Sequence, residues 1–174
     1  MGKKNSYPVY LKKNYEDSLV HSVKHLRWIG YFNYSSENKY SFLDVSKEFA
    51  NLPHQILSQE GFCVRYLIRK NKFPGAHISI TMQHEKSKIK WKTLRKVYRK
   101  WKNVPISFKI TGIRIFWHED QTGAKMWVLC FQVFSWQIFQ LRKELNVKRN
   151  VQYNPHMTIL ENEPLESMFS RISM

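Results

Sequence analysis

Two short segments of this 174-residue chain repeat one pattern of residue types, His77-Ile78-Ser79-Ile80 and His156-Met157-Thr158-Ile159. Each reads histidine, apolar, hydroxyl, apolar. An imidazole titrates near neutral pH, so two of them can share acid and base duties. A hydroxyl two residues further on can donate a hydrogen bond to a phosphate oxygen. Brought face to face, the two segments would supply two histidines and two donors around one phosphate.

Ser and Thr make up 20 of the 174 residues and histidine seven. A given histidine then meets this pattern with a chance of about 2%, and about 0.15 matches are expected in the whole chain. Two matches, 79 residues apart, exceed that expectation. The plain alternative is a pair of half-buried strands whose histidines satisfy local hydrogen bonds.

Both segments read as strands. Alternation puts His77 and Ser79 on one face, with Thr81 extending it by a step, and Ile78 and Ile80 on the other. His156 and Thr158 oppose Met157 and Ile159 in the same way. An apolar face buried in a core would fix each strand and present imidazole and hydroxyl together in a cleft.

The surrounding chain predicts the supporting elements. Residues 27–34 and 62–68 read as strands. Ser41 with Asp44 resembles a helix start, and Phe42, Val45 and Phe49 follow at helical spacing until Pro53 breaks or restarts the run. Asn71–Gly75 is a turn leading into the strand His77–Met82. Lys88–Asn103 reads as a helix with Trp91, Leu94, Val97, Tyr98 and Trp101 on one stripe and basic residues elsewhere. Ile106–Trp117 and Trp127–Phe134 form a hairpin around the loop His118–Lys125. Ser135 caps a helix running to about Leu145, a strand follows at His156–Leu160, and the residues from Glu161 form a tail or short closing helix. The order gives an α+β domain over 27–174 after an N-terminal arm, 1–26.

Hydrophobic residues make up 43% and aromatics 15%, which excludes wholesale disorder. No apolar run approaches the roughly 18 residues of a membrane span, and Met1–Lys13 lacks the apolar stretch of a secretory signal. Cys63 and Cys130 have no neighbours at metal-ligand spacing and read as buried thiols of a reducing, cytoplasmic compartment. Lys and Arg number 29 against 13 Asp and Glu, a net charge of +16. Such an excess suits an anionic partner, with a merely solubilising lysine-rich surface as the alternative.

The paired motifs resemble the twin signature of the 2H phosphoesterase superfamily, which includes the LigT-like RNA 2′,3′-cyclic phosphodiesterases and viral enzymes that destroy host signalling nucleotides. The resemblance covers roughly Arg27–Glu161, including the helix after the first motif, the hairpin between motifs, and Pro155 directly before His156. It implies a two-lobed fold with antiparallel sheets related by a pseudo-twofold axis, helices outside and a central groove. It also implies a metal-independent phosphodiesterase with no cofactor. One of His77 and His156 would take a proton from a water or ribose hydroxyl. The other would protonate the leaving oxygen, and Ser79 and Thr158 would hold the phosphoryl oxygens. Neither role is assigned to either histidine. The absence of HxH, HExxH and Cys-rich clusters agrees with a metal-free site.

Several further residues have two readings each. Tyr153, and Phe116 or Trp117 at the hairpin end, can stack on a base, although Phe116 also reads as core. Arg69, Lys70 and Lys72 can neutralise phosphate charge or simply be solvated. The basic face of Lys88–Lys102 can track an RNA backbone or be an ordinary solvated surface. His21, His25, His84 and His118 read as surface histidines. Met1-Gly2-Lys3-Lys4-Asn5-Ser6 fits an N-myristoylation pattern, which would attach Gly2 to a membrane with lysines as the second signal; a plain N-terminus is the other reading.

The leading functional expectation is a monomeric enzyme cleaving 2′,3′-cyclic phosphate ends, 2′-5′ oligoadenylates or cyclic dinucleotides. A compact chain rich in Lys and Asn would suit a virus that disarms nucleotide-based immune signalling. The competing expectations are a non-catalytic basic RNA-binding domain and an interaction protein whose charge serves solubility or membrane contact.

Overall fold

The computed structural model describes residues 13–37, 39–60, 62, 64–66, 76–82, 84–119, 125–147 and 154–162; for 13–15, 65, 66, 117–119, 125, 126 and 162 it describes the backbone alone. In chain order the elements are helix α1 (Lys13–Ser22), strands β1 (Ile29–Tyr34) and β2 (Ser41–Val45), helix α2 (Glu48–Gln59), strands β3 (Val64–Tyr66) and β4 (His77–Ser79), helix α3 (Trp91–Trp101), strands β5 (Ile106–Ser107), β6 (Lys109–Glu119) and β7 (Lys125–Phe134), helix α4 (Trp136–Glu144) and strand β8 (His156–Asn162). A single 3₁₀ turn, Lys86–Lys88, precedes α3.

The described strands form one antiparallel sheet in the order β5-β1-β2-β4-β8-β7-β6, with β3 also paired to β8. The segment from Ile106 to Lys109 passes from one edge of this sheet to the other. Ile106 and Ser107 pair with β1, whereas Lys109 pairs with Phe134 of β7. The sheet is accordingly curled into a half-barrel, with four α-helices among the described residues. Gly30 permits a close approach of β1 to β2, because a Cβ there would stand 2.9 Å from Val45 Cγ1 and 3.0 Å from Leu43 Cβ.

One face of the sheet is apolar and fully buried. Leu43, Ile78, Met157 and Phe131 lie on it, on four neighbouring strands, with Phe32 beyond. Leu19 and Val23, Phe49 and Leu57, Leu94 and Val97, and Ile138 and Leu141 join the same core cluster, so α1 to α4 all cover that face. Burying each such side chain contributes about 1.5–3 kcal/mol, which is what holds the two histidine strands at the centre.

A hairpin, a helix and a central strand follow one another twice, with β3 as an addition in the first half. The hairpin β1–β2 leads through α2 and β3 to β4, and the hairpin β6–β7 leads through α4 to β8. A buried ion pair ties the halves together. Arg142 of α4 donates to Glu85 at 2.7 and 3.0 Å and to the carbonyl of Ile80, just past β4, at 2.5 Å. Glu85 in turn accepts the backbone N–H of Met82 at 2.7 Å.

Several expectations need correction. Ser41–Val45 is a strand rather than a helix start, because Leu43 faces the core while Phe42 packs beneath aromatic rings on the opposite face. Helix α2 begins only at Glu48 and runs through Pro53 without a break. Ser135 precedes α4, but its hydroxyl donates to the carbonyl of Ser107 at 2.6 Å instead of capping the helix. The hairpin strands reach Glu119 and start from Lys125, so residues 118, 119 and 125 are ladder rather than loop. Glu161 and Asn162 continue β8 and pair with β3 instead of opening a tail. Within the expected arm, Leu19 of α1 and Val23 just past its end are completely buried. The turn at 71–75, Cys63 and the closing segment from 163 lie outside the described residues.

Candidate functional site

The two histidine motifs meet on the polar face of the sheet, at its centre. Strands β4 and β8 pair antiparallel with His77 opposite Thr158 and Ile78 opposite Met157. The same register carried one step further sets Ser79 opposite His156. Directly opposed residues in an antiparallel pair point to the same side, so all four polar side chains share one face. They are half-buried, whereas Ile78 and Met157 beneath them are fully buried. Exchanging 77 for 156, 78 for 157 and 79 for 158 maps this register onto itself. Opposite residues lie about 4.5–5.5 Å apart at Cβ, and the diagonal His77–His156 pair about 7–8 Å.

The flanking strands extend the arrangement symmetrically. Asp44 and Phe42 on β2 stand opposite His77 and Ser79, and Gln132 and Cys130 on β7 stand opposite His156 and Thr158. Arg114 on β6 faces Cys130 from the other side.

The two histidines are held differently. Nε2 of His77 lies 3.0 Å from the phenol oxygen of Tyr40, which also makes a short hydrogen bond to Ser79. The rings of Tyr40 and Phe42 meet the His77 imidazole edge-on at 5.9 and 5.8 Å. Burial pushes the Tyr40 phenol above its ordinary pKa, outweighing the opposing bond from Ser79. Nδ1 of His156 lies 3.0 Å from the carbonyl of Asn154. A carbonyl only accepts, so this nitrogen carries the proton and donates the bond. The Phe116 ring packs 5.5 Å from His156 and the Arg114 guanidinium lies 4.6 Å over that ring.

The hydroxyls have separate supports. Thr158 accepts the Cys130 thiol at 3.8 Å, which leaves its own proton to donate elsewhere. Burial pushes the Cys130 thiol up to about 12 despite Thr158 and Arg114, so it stays protonated and is no nucleophile at neutral pH.

Sequence reasoning therefore assembled His77, Ser79, His156 and Thr158 on one face, and it missed Tyr40 and Arg114. Tyr40, Phe42 and Asp44 alternate onto the site face, a signal hidden by the helical reading of the segment. Arg114 and Phe116 alternate likewise on β6, which puts Phe116 beside His156 rather than in the core. Thr81 does not extend the polar face. The strand ends at Ser79, and Thr81 is fully buried, its hydroxyl accepting the backbone N–H of Ser41 at 3.0 Å. Tyr153, Arg69, Lys70 and Gly2 lie outside the described residues, as does the side chain of Trp117, whose backbone pairs with Trp127. His21, His25 and His84 are exposed.

Comparison with models of known protein families, with curated proteins and with solved structures gives no match. The chemistry at this face must be read from its own residues. Among the described residues, no three His, Cys, Asp or Glu side chains cluster as a metal site. No described helix is long and apolar enough to cross a membrane.

Proposed function

We propose that the chain is a metal-independent phosphodiesterase of the 2H type, acting on RNA-derived or signalling nucleotides with His77 and His156 as its acid–base pair. The observation that carries this reading is the β4–β8 register, His77 opposite Thr158. It gathers two imidazoles and two hydroxyls on one face, close enough together to act on one phosphate. The twofold exchange of the motifs and the repeated hairpin–helix–strand order support the two-lobed 2H fold.

In this mechanism one imidazole removes the proton from the attacking water or ribose hydroxyl while the other protonates the leaving oxygen, and the roles exchange with reaction direction. General acid–base catalysis of this kind contributes about 10²–10⁴-fold. Ser79 and Thr158 donate to the phosphoryl oxygens as charge builds, each donor being worth about 2.7–4 kcal/mol. Tyr40 keeps a neutral phenol on His77 and Ser79 and fixes their rotamers. Arg114 supplies positive charge toward the phosphate from the β6 side. Cleavage of the P–O bond transfers phosphorus from the leaving oxygen to the attacking one, and the proton taken at one histidine is matched by the proton given at the other.

The test is turnover of purified protein on a panel of nucleoside 2′,3′-cyclic phosphates, 2′-5′ oligoadenylates and cyclic dinucleotides, with and without EDTA. Hydrolysis of at least one class, indifferent to EDTA, is the expected result. Activity abolished by EDTA, or RNA binding without turnover of any substrate, contradicts the proposal; the latter outcome is that of a non-catalytic RNA-binding domain.

A further inference from the structure

We infer that the site continues round the end of the sheet onto α3 as a track for a single-stranded oligonucleotide, an inference that rests on the phosphodiesterase reading for where the scissile phosphate sits. The track begins at Tyr40, the residue that holds His77. The Lys86 ammonium stands 5.3 Å over the Tyr40 ring. The next cation is Lys39, adjacent in the chain at the tip of the β1–β2 hairpin, with its ammonium 5.4 Å over the Trp91 ring. Arg95 approaches the same ring at 6.0 Å, one turn into α3. Trp91 is itself seated edge-on against Tyr34 of β1 at 6.3 Å, so the helix start is fixed to the hairpin beside the site.

Cations within about 6 Å of an aromatic face are attracted to it, so these rings hold three positive groups along one path before any ligand arrives. Arg99 continues the path, its side chain bonded back to the Arg95 carbonyl at 3.4 Å. The other side of the helix differs, since Lys100 is paired with Glu144 at 2.7 Å. Helix α3 has 11 residues and is therefore about 16 Å long. Arg99 lies eight residues beyond Trp91, about 12 Å along the helix, a span that suits a strand with a charge at every nucleotide. The path runs from the polar face of the sheet round a hairpin tip, which fits a flexible single strand and not a flat lipid surface.

The experiment measures binding of a fluorescent single-stranded oligoribonucleotide of about a dozen nucleotides. It uses the full chain carrying His77→Ala, so that no substrate is consumed, across a salt series. Each phosphate contact contributes about 0.7 to the slope of log K against log salt for a single strand. Lys39→Gln with Arg95→Gln is expected to flatten the slope by about 1.4. Lys24→Gln with Lys143→Gln, which removes the same charge from exposed positions elsewhere, is expected to leave it unchanged. Equal flattening in both pairs, or no RNA binding at all, overturns the track. So does a Lys39/Arg95 pair that loses phosphatidylserine vesicles and keeps RNA. Binding with the expected slopes but no turnover of any substrate by the unsubstituted chain supports the track and counts against the enzymatic reading alone.

Discussion

The phenol oxygen of Tyr40 stands 3.0 Å from Nε2 of His77 and is bonded at the same time to Ser79. One side chain from the β1–β2 hairpin thus links the imidazole and the hydroxyl of the first motif, while the second motif relies on a backbone carbonyl and the Cys130 thiol. The two histidines are equivalent in register and unequal in surroundings.

Replacing Tyr40 by Phe keeps the ring packing against Phe42 and removes the link. Turnover is expected to fall about tenfold, a loss of about 1.4 kcal/mol of transition-state stabilisation. The phenol pKa is raised above its ordinary value near 10, so its ionisation does not enter the working range. No alkaline limb of kcat/KM below about pH 10 is therefore expected to arise from Tyr40 itself. A limb present in the unsubstituted chain and missing in Tyr40→Phe contradicts the assignment.

In the proposed mechanism Ser79→Ala and Thr158→Ala each remove one donor to the phosphoryl oxygens. Each is expected to lower kcat by about 10²–10³. Steady-state kinetics should show KM changing much less than kcat, because these bonds strengthen as charge develops. A pure KM effect would assign the hydroxyls to ground-state binding only.

The Glu85–Arg142 pair is expected to matter for stability. Both side chains are almost inaccessible, at 8% and 5% exposure. Arg142→Met strands a buried carboxylate, with an expected loss of about 3–5 kcal/mol in denaturant unfolding, and Glu85→Gln added to it should recover part of that loss. Burial raises the Glu85 pKa, but hydrogen bonds from Arg142 and the Met82 N–H outweigh it, and the net shift is downward from 4.5. A depressed carboxylate contributes stability above its unfolded pKa and loses it as pH falls through the folded one. Acid destabilisation beginning near pH 4.5 should thus be smaller in the doubly substituted chain than in the original.

Cys130 lines the site, yet its thiol is pushed up to about 12. Iodoacetamide at pH 8, read peptide by peptide in the mass spectrometer, is expected to leave Cys130 unmodified in the native protein and to label it after unfolding. Cys130→Ala should retain turnover within a few-fold, with a modest loss from the missing support to Thr158. Abolished turnover in a folded Cys130→Ala protein would point to covalent chemistry at sulfur.

Much of this arrangement was legible in the sequence, and the parts that were not have physical reasons. The histidine strands announced themselves because an apolar residue between two polar ones has only one comfortable orientation when one face is buried. Helix α3 did so through the spacing of Leu94, Val97 and Trp101, all of which are buried. Strand β2 was hidden because Phe42 and Leu43 are apolar on both faces, one for the site and one for the core, which erases alternation. Pro53 was misleading because α2 continues through it with the ring buried. Thr81 followed the alternation on paper, but the strand ends two residues earlier and its hydroxyl serves the backbone of Ser41. Nothing local tells His77 that Thr158 is its partner; that register is set by the packing of Ile78 and Met157 in a shared core.

The most direct measurement of the central claim is kcat for His77→Ala, His156→Ala and the double variant on whichever phosphodiester the protein hydrolyses fastest, with folding checked by circular dichroism. In the proposed mechanism the two imidazoles act on one phosphate as a unit, so each single loss is expected to cost about 10²–10⁴ and the double little more than the worse single. A folded single variant that keeps turnover within a few-fold of the original contradicts the account.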